Sequence, residues 1–593
     1  MENKHRILEP IAFNQVKILG GMWKDRIDTV RKVTTRHCAS KCEDTGRVDN
    51  FRKASGRMKG EFKGVFFDDA DVYKTIEAIA YVLMDEWDDE LKAIADGMID
   101  EVCAAQTEDG YLYTFFTIGD LKNRWTDMDH HEAFCVGQIV EAGIAYRQAT
   151  GDTRLYDAGI RAVDQMMETL LSFEDGWING HEGIEMALVH LYRYTGEEKY
   201  LKHAQWFIEQ RGHVKLRLPI SYYKKYFFTD EYCQNNVPVR EMQKVVGHAV
   251  RAMYLYSGIA DIASITGEKA LTDALERVWN NLLTANTYIT GGIGQSSFNE
   301  GFTGDFSLPN LNAYCETCAS VGMAFWNQRM NLINGESKYA DVVETEIMNG
   351  ILSGLSLKGD HYFYENPLAS VGVLHRREWF TVPCCPTNIV RFVPSIGGYI
   401  YAKAPGELYV NQFIASRVDA GDGVVVRMET EYPWQNRIAI TVEACEGELK
   451  LNVRKPAWCE KWALSVNGAD QNISGEDGYL RLTVKAGDEI VFVPDMPVRR
   501  VYSDPRVREN VGRVAVMRGP VVYCAEEIDN PGIPTEFFHA DAALAKDAPM
   551  EEKFDADLFG GVSTVQAGNL KLIPYCLWDN RTAGGMSVWL REV

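Results

Sequence analysis

The sequence predicts a mainly α protein in which a long helical region is followed by two smaller β-sandwich units. Three observations predict it. From about Asp71 to Leu355 apolar residues recur three and four apart, the rhythm of helices with one buried face. Turns of one kind recur between those helices. After about Tyr401 the pattern changes to alternation, the period of a strand.

The first clear helix carries Ile76, Ile79, Ala80, Leu83, Met84 and Trp87 on one face, and Ile94, Met98, Ile99 and Val102 continue the rhythm in the next. Further helical runs cover Phe134 to Ala149, Leu155 to Leu171, Ile184 to Tyr194, Tyr200 to Glu209, Ala249 to Ile265, Leu271 to Leu283 and Thr317 to Leu332. Between them lie Thr150-Gly151-Asp152, Thr195-Gly196-Glu197, Thr266-Gly267-Glu268 and Asn334-Gly335-Glu336. Each ends one helix on a glycine suited to left-handed backbone and starts the next with an acidic first turn. The pattern is a series of helical hairpins, spaced too unevenly for a solenoid of identical units. The helices before these turns open near Gly137-Gln138, Gly180-His181, Gly247-His248 and Glu316-Thr317-Cys318. With the glycine turns at one end of a ring of hairpins, these polar openings converge on one mouth at the other.

The alternating segments include Leu408–Val410, Val424–Arg427, Ile438–Val442, Leu449–Val453, Leu480–Val484 and Ile490–Val493, broken by Gly, Asp and Pro turns as in a β-sandwich. Val514–Met517, Val521–Tyr523 and Ser587–Leu590 supply a second small sandwich. The expected boundaries are residues 1–402 for the helical unit, 403–503 for the first strand unit and 504–593 for the second. Neither strand unit clusters ionisable groups, so both read as scaffold or assembly units.

Size agrees with several domains, since 593 residues exceed one ordinary core. The formal net charge of −22 disfavours nucleic acid and anionic membrane surfaces as partners. The first ten residues lack the apolar core of a secretory signal, and no stretch has the apolar length of a membrane span, which suits a cytoplasmic protein. Thirteen irregularly spaced cysteines do not make a disulfide framework. Cys38, Cys42, Cys103, Cys135, Cys233, Cys445, Cys459, Cys524 and Cys576 read as small buried hydrophobes.

Three other thiols are different. Vicinal Cys384-Cys385, in Val382-Pro383-Cys384-Cys385-Pro386, and upstream Glu316-Thr317-Cys318 together offer three sulfurs and a carboxylate. Such a set suits tetrahedral zinc, and a thiolate held in it also suits a nucleophile. The pair lacks the usual two-residue gap between ligands, so buried, unligated thiols are the competing reading. Glu300, in Ser297-Phe298-Asn299-Glu300-Gly301-Phe302, is flanked by aromatics; desolvation there would raise its pKa as a general acid requires, whereas an exposed loop carboxylate would have no such role. His131, His181 and His248 stand near helix openings, where they would bind sugar hydroxyls or simply cap and pack helices.

Several longer stretches carry a resemblance: Gly291-Gly292-Ile293-Gly294, Ala313-Tyr314-Cys315-Glu316-Thr317-Cys318-Ala319, Phe325-Trp326-Asn327-Gln328-Arg329-Met330, Phe363-Tyr364-Glu365-Asn366-Pro367, Trp379-Phe380-Thr381-Val382-Pro383-Cys384-Cys385-Pro386 and Val246-Gly247-His248-Ala249-Val250-Arg251. Over nearly its whole length the chain resembles the β-L-arabinofuranosidases of glycoside hydrolase family 127. The resemblance implies an (α/α)6 barrel followed by β-sandwich domains, with a small carbohydrate as substrate and a homodimer as a compatible assembly. It implies Zn2+ held by Glu316, Cys318, Cys384 and Cys385, Cys384 as nucleophile of a retaining hydrolysis, and Glu300 as acid/base. It places His181, His248 and Tyr364 against the sugar, with His131 a looser match. Family members commonly carry Gly-His where this chain has Gly137-Gln138, so Gln138 enters the expected substrate-binding set as the departure that bears on specificity. Rival readings are the same chemistry on another furanoside or deoxy-sugar acid, a metal-free sugar epimerase, and a non-catalytic glycan-binding protein.

Overall fold

The computed structural model describes residues 5–220, 228–475 and 477–593. Its helical unit alternates two layers. The inner layer consists of α2 (Asp69–Asp85), α4 (Glu132–Thr150), α6 (Ile184–Thr195), α8 (Ala249–Thr266), α10 (Thr317–Asn334) and α12 (Cys384–Phe392). The outer layer consists of α1 (Thr35–Asp44), α3 (Asp89–Ala105), α5 (Arg154–Leu170), α7 (Glu198–Gln210), α9 (Lys269–Ala285) and α11 (Ser337–Thr345). Each inner helix packs on the next, from α2 through α4, α6, α8 and α10 to α12, and α12 returns to α2. The ring is closed.

Glycine sets its direction. Gly151, Gly196, Gly267 and Gly335 cap α4, α6, α8 and α10 with φ of 81°, 77°, 69° and 66°, the left-handed region that costs glycine no Cβ clash. These four inner helices therefore end together and begin together at the opposite mouth. The inner helices are buried on more than one face. In α2, Ile76, Ile79 and Leu83 pack outward in the apolar core while Asp71, Lys74, Glu77 and Tyr81 line cavities along the ring axis. Helices at Gly21–Thr29, Thr35–Asp44 and Arg47–Ala54 precede the first helix expected from the sequence. Their many charged residues mask the apolar period there.

Strands from both termini of the helical unit join the middle unit. One sheet runs Glu9–Pro10, Tyr401–Ala404, Glu407–Val410, Leu449–Arg454, Tyr479–Val484; the other runs Ala469–Asp470, Trp462–Val466, Glu489–Pro494, Ile438–Ala444, Val424–Thr430, Ser416–Gly421, Val16–Ile18. Their inner faces share one apolar core, including Val410, Leu451, Val426 and Ile440. A boundary at residue 402 therefore misses three short strands that belong with the sandwich. Buried Arg454 fastens this unit to α11 through Glu344 at 2.6 Å.

Among the described residues the last nine strands and Ala369–Val371 form one connected sheet of ten, and Val498–Val501 pairs with Arg513–Arg518 inside it rather than in the middle unit. Val514, Val516, Val521 and Tyr523 point into one core, Ala515, Met517, Val522 and Cys524 into another. Burial on both faces explains why these segments read as nearly continuous apolar runs. Leu544 and Val565, from opposite ends of the sheet, meet in one core, so the sheet folds over as a sandwich does. The other core reaches Cys315 and Phe363, beside the candidate site.

Candidate active site

Two helix N-termini build the floor of the site. Glu316 is the N-cap of α10 and Cys318 lies in its first turn; Cys384 and Cys385 open α12 after Pro383. Both dipoles favour negative charge there. The segment before α10 is pinned by Asn366, whose amide donates to the Cys315 carbonyl and to Thr317 Oγ1, each at 2.9 Å. The Thr317 amide donates to the Tyr364 carbonyl at 3.0 Å. The Phe363–Pro367 stretch thus sets both the cap and the Tyr364 ring.

The ligand atoms of Glu316, Cys318, Cys384 and Cys385 all lie within 4.8 Å of one another. Cys318 Sγ is 3.4 Å from Cys385 Sγ, and Cys384 Sγ is 3.3 Å from both Glu316 Oε1 and the Tyr364 hydroxyl. All thirteen cysteines are free thiols. Burial, and then the neighbouring sulfur of Cys384, hold the Glu316 carboxyl well above its usual range. Burial likewise pushes Cys384 and Cys385 up. At Cys318 burial opposes ionisation, but hydrogen bonds from Cys384 and Cys385 outweigh it and bring the thiol down to about 6. Four acidic groups this close cannot ionise together without a cation. A soft divalent ion fits: the donors are three sulfurs and one carboxylate, and among the described residues Glu316 Oε2 is buried with no hydrogen-bond partner.

Glu300 shares the same cavity, of about 260 Å3, with Cys384, Glu316 and Cys318. Its Oε2 accepts from the Tyr232 hydroxyl at 2.7 Å and lies 3.1 Å from His248 Nε2. His248 caps α8, its Nδ1 accepting the Val250 amide at 3.1 Å, so its proton sits on Nε2 and points at Glu300. Partial burial works against the Glu300 carboxylate, but His248, Tyr232 and Arg251 outweigh it and hold the group well below the usual range. This reverses the raised pKa expected from its aromatic neighbours. The aromatic that matters is a tyrosine hydroxyl from elsewhere in the chain.

His181 and His131 stand in the same wall, ring centres 5.0 Å apart. His181 Nδ1 donates to the Glu182 carbonyl at 2.8 Å, and burial, then Arg251, keep the ring neutral. His131, the left-handed N-cap of α4 with φ of 57°, donates from Nδ1 to the Asp129 carbonyl at 2.5 Å. Tyr364 lines the cavity beside Cys384.

Gln138 does not join them. Because α4 opens at Glu132 rather than near Gly137, Gln138 lies about 9 Å down the axis from the first residue of the helix. Its side-chain oxygen accepts from Arg391 at 3.2 Å, in a second cavity at the far end of the ring. The expectation that Gln138 touches the sugar is therefore corrected.

Residues 15–398 match the beta-L-arabinofuranosidase GH127 catalytic domain, 407–496 the GH127 middle domain and 498–591 the glycoside hydrolase family 127 C-terminal domain. The chain belongs to glycoside hydrolase family 127. Among curated proteins this family 127 member is 36% identical to a non-reducing end beta-L-arabinofuranosidase of Bifidobacterium longum subsp. longum, over 96% of each chain. Its fold is similar to a GH127 beta-arabinofuranosidase at TM-score 0.92 and 35% identity, covering 100% of this chain and 99% of that one. It is also similar to a GH127 beta-L-arabinofuranosidase from Geobacillus stearothermophilus T6 at TM-score 0.91 and 36% identity, covering 98% and 100%.

The sequence reading missed Tyr232 and Lys74 in this family 127 site. Tyr232 comes from a segment with no helical or strand pattern. Lys74 belongs to the polar stripe Asp71, Lys74, Glu77, Tyr81, whose three-and-four spacing marks a second lining face of α2.

Proposed function

We propose that this family 127 member is a retaining exo-glycosidase that releases terminal β-L-arabinofuranose from small glycosides, with Cys384 as nucleophile and Glu300 as acid/base. The single observation that carries the reading is the cluster of Glu316, Cys318, Cys384 and Cys385, of which the first three line one cavity with Glu300. The substrate follows the names of the similar enzymes. The closed ring of inner helices, each with an outer partner, supports an (α/α)6 barrel as the catalytic scaffold.

Glu316, Cys318, Cys384 and Cys385 would hold zinc, which when bound supplies the positive charge that keeps thiolates at neutral pH. The Cys384 thiolate attacks the anomeric carbon as its bond to the aglycone oxygen breaks, and Glu300 gives that oxygen its proton. Glu300 then takes a proton from water, whose oxygen attacks the anomeric carbon and expels the Cys384 thiolate. Two inversions give retention, as in two-carboxylate retaining hydrolases. Glu300, held ionised without substrate, suits the second step; the sugar, by covering a side chain that is 40% exposed, raises its proton affinity for the first. Neutral His181, with His248 and Tyr364, supplies donors and acceptors to sugar hydroxyls.

Cys384→Ser is expected to abolish turnover of an aryl β-L-arabinofuranoside; full activity in that variant overturns the nucleophile assignment. The alternative of another furanoside or sugar acid rested on Gln138, and its displacement from the cavity removes that support.

A further inference from the structure

Lys74 is only 2% exposed, yet it lines the cavity of Glu300 and Cys384 from the axial face of α2. Its ammonium lies 5.2 Å from the centre of the Phe134 ring, which in turn is 4.3 Å from that of His181. Among the described residues no hydrogen bond or ion pair satisfies it. The nearby carboxylates on its own helix are taken. Asp71 holds Arg47 at 2.9 Å and accepts from Thr387 at 3.3 Å, and Glu77 holds Arg391 at 2.8 Å. A buried ammonium with three donors and one aromatic face calls for acceptors that arrive with a ligand. His181, across Phe134, faces the same space, so the cation stands where a small polyol bound above Cys384 would present its oxygens.

We propose that Lys74 is a sugar-binding residue whose ammonium donates hydrogen bonds to a hydroxyl of the furanose seated over Cys384. The inference rests on the glycosidase reading above and adds to it a charged donor that fixes the sugar's orientation. A competing role for Lys74 is to offset the negative charge of the ionised cysteine and glutamate cluster. That role is blind to which hydroxyls the sugar carries.

The test measures kcat/KM for the wild type and Lys74→Met on an aryl β-L-arabinofuranoside and its 2-, 3- and 5-deoxy analogues, with zinc content and thermal melting of both proteins. Lys74→Met is expected to lower kcat/KM on the parent about 10- to 100-fold, and on one deoxy analogue by less than about threefold, because a charged hydrogen bond to a missing hydroxyl cannot be lost twice. Zinc content and melting stay as in the wild type. Equal losses on the parent and all three analogues, or loss of zinc, overturn the proposal. Wild-type turnover of the parent reports separately on the glycosidase reading: with turnover and equal losses only the Lys74 role falls, and without turnover both fall. Should Lys74→Met fail to fold, Lys74→Gln carries the same comparison.

Discussion

Glu300 shows how a single residue is tuned by groups far away in sequence. Its loop stood out as a carboxylate between aromatics, but the residues alone favoured an exposed glutamate, and its expected role came from the family resemblance. Its electrostatics were not legible, because they come from Tyr232 and from a histidine whose tautomer is fixed by capping α8. The sign of the Tyr232 contribution gives a prediction. The hydroxyl donates to the ionised form and lowers the Glu300 pKa; Tyr232→Phe removes that bond and raises it. More of the free enzyme then carries the acid proton at a given pH. With a poor leaving group, the basic limb of the kcat/KM profile should move up by about one pH unit. An unmoved limb, or a shift downward, contradicts the hydrogen bond's role. Cys384 and its neighbours were legible as residue types, but their spacing alone favoured buried, unligated thiols over ligation. Only the meeting of two helix N-termini brings the four donors together.

At the scale of elements, the Thr-Gly and Asn-Gly turns carried most of the fold. Glycine at φ near 70° has few other uses, and four such caps at matching positions set the direction of the ring. The failure at Gln138 has a physical cause. Helix α4 follows a polar run, Asp129-His130-His131, that is itself buried, and the polar opening was placed at Gly137-Gln138, five residues inside the helix. The lining stripe of α2 was hidden for a similar reason: polar residues facing a ring axis share the spacing of a solvent face. The Glu300 loop is an element whose seat depends on contact between backbones. A Cβ on Gly301 would lie 1.9 Å from the Gly247 carbonyl oxygen, while the Phe302 amide bonds that same oxygen at 2.8 Å. Gly301→Ala should push the loop off the start of α8 and part Glu300 from His248. The expected outcome is a fall in kcat/KM of about 100-fold with little change in melting temperature. Near-normal activity in a folded Gly301→Ala protein would show that the loop's seat is unimportant.

At the scale of the molecule, the strand units do more than decorate the ring. Their lack of clustered charge suggested scaffold or assembly roles, and their strands and aromatics reach segments beside the site. Strand Gly585–Ser587 pairs with Ala369–Val371, between Tyr364 and Cys384 in sequence. Trp578 stacks on Phe363 with ring centres 4.8 Å apart, immediately before Tyr364. These long-range links could not be read from the chain, since nothing local in Ala369–Val371 names its partner. Trp578→Ala should cost about 3–5 kcal/mol of stability and also lower activity by loosening the Tyr364 segment. Phe554→Ala, at a 58% exposed side chain of the same unit, should change neither; thermal melting and steady-state kinetics on both variants check the contrast. Ring, loop and frame together hold one sulfur beneath a sugar-sized cavity. The most direct measurement is peptide mass spectrometry after inactivation with a bromoacetamide derivative of β-L-arabinofuranose. The label is expected on Cys384 in step with lost activity; a label on another cysteine or on Glu300, with activity lost in proportion, would contradict the assignment of Cys384 as the nucleophile.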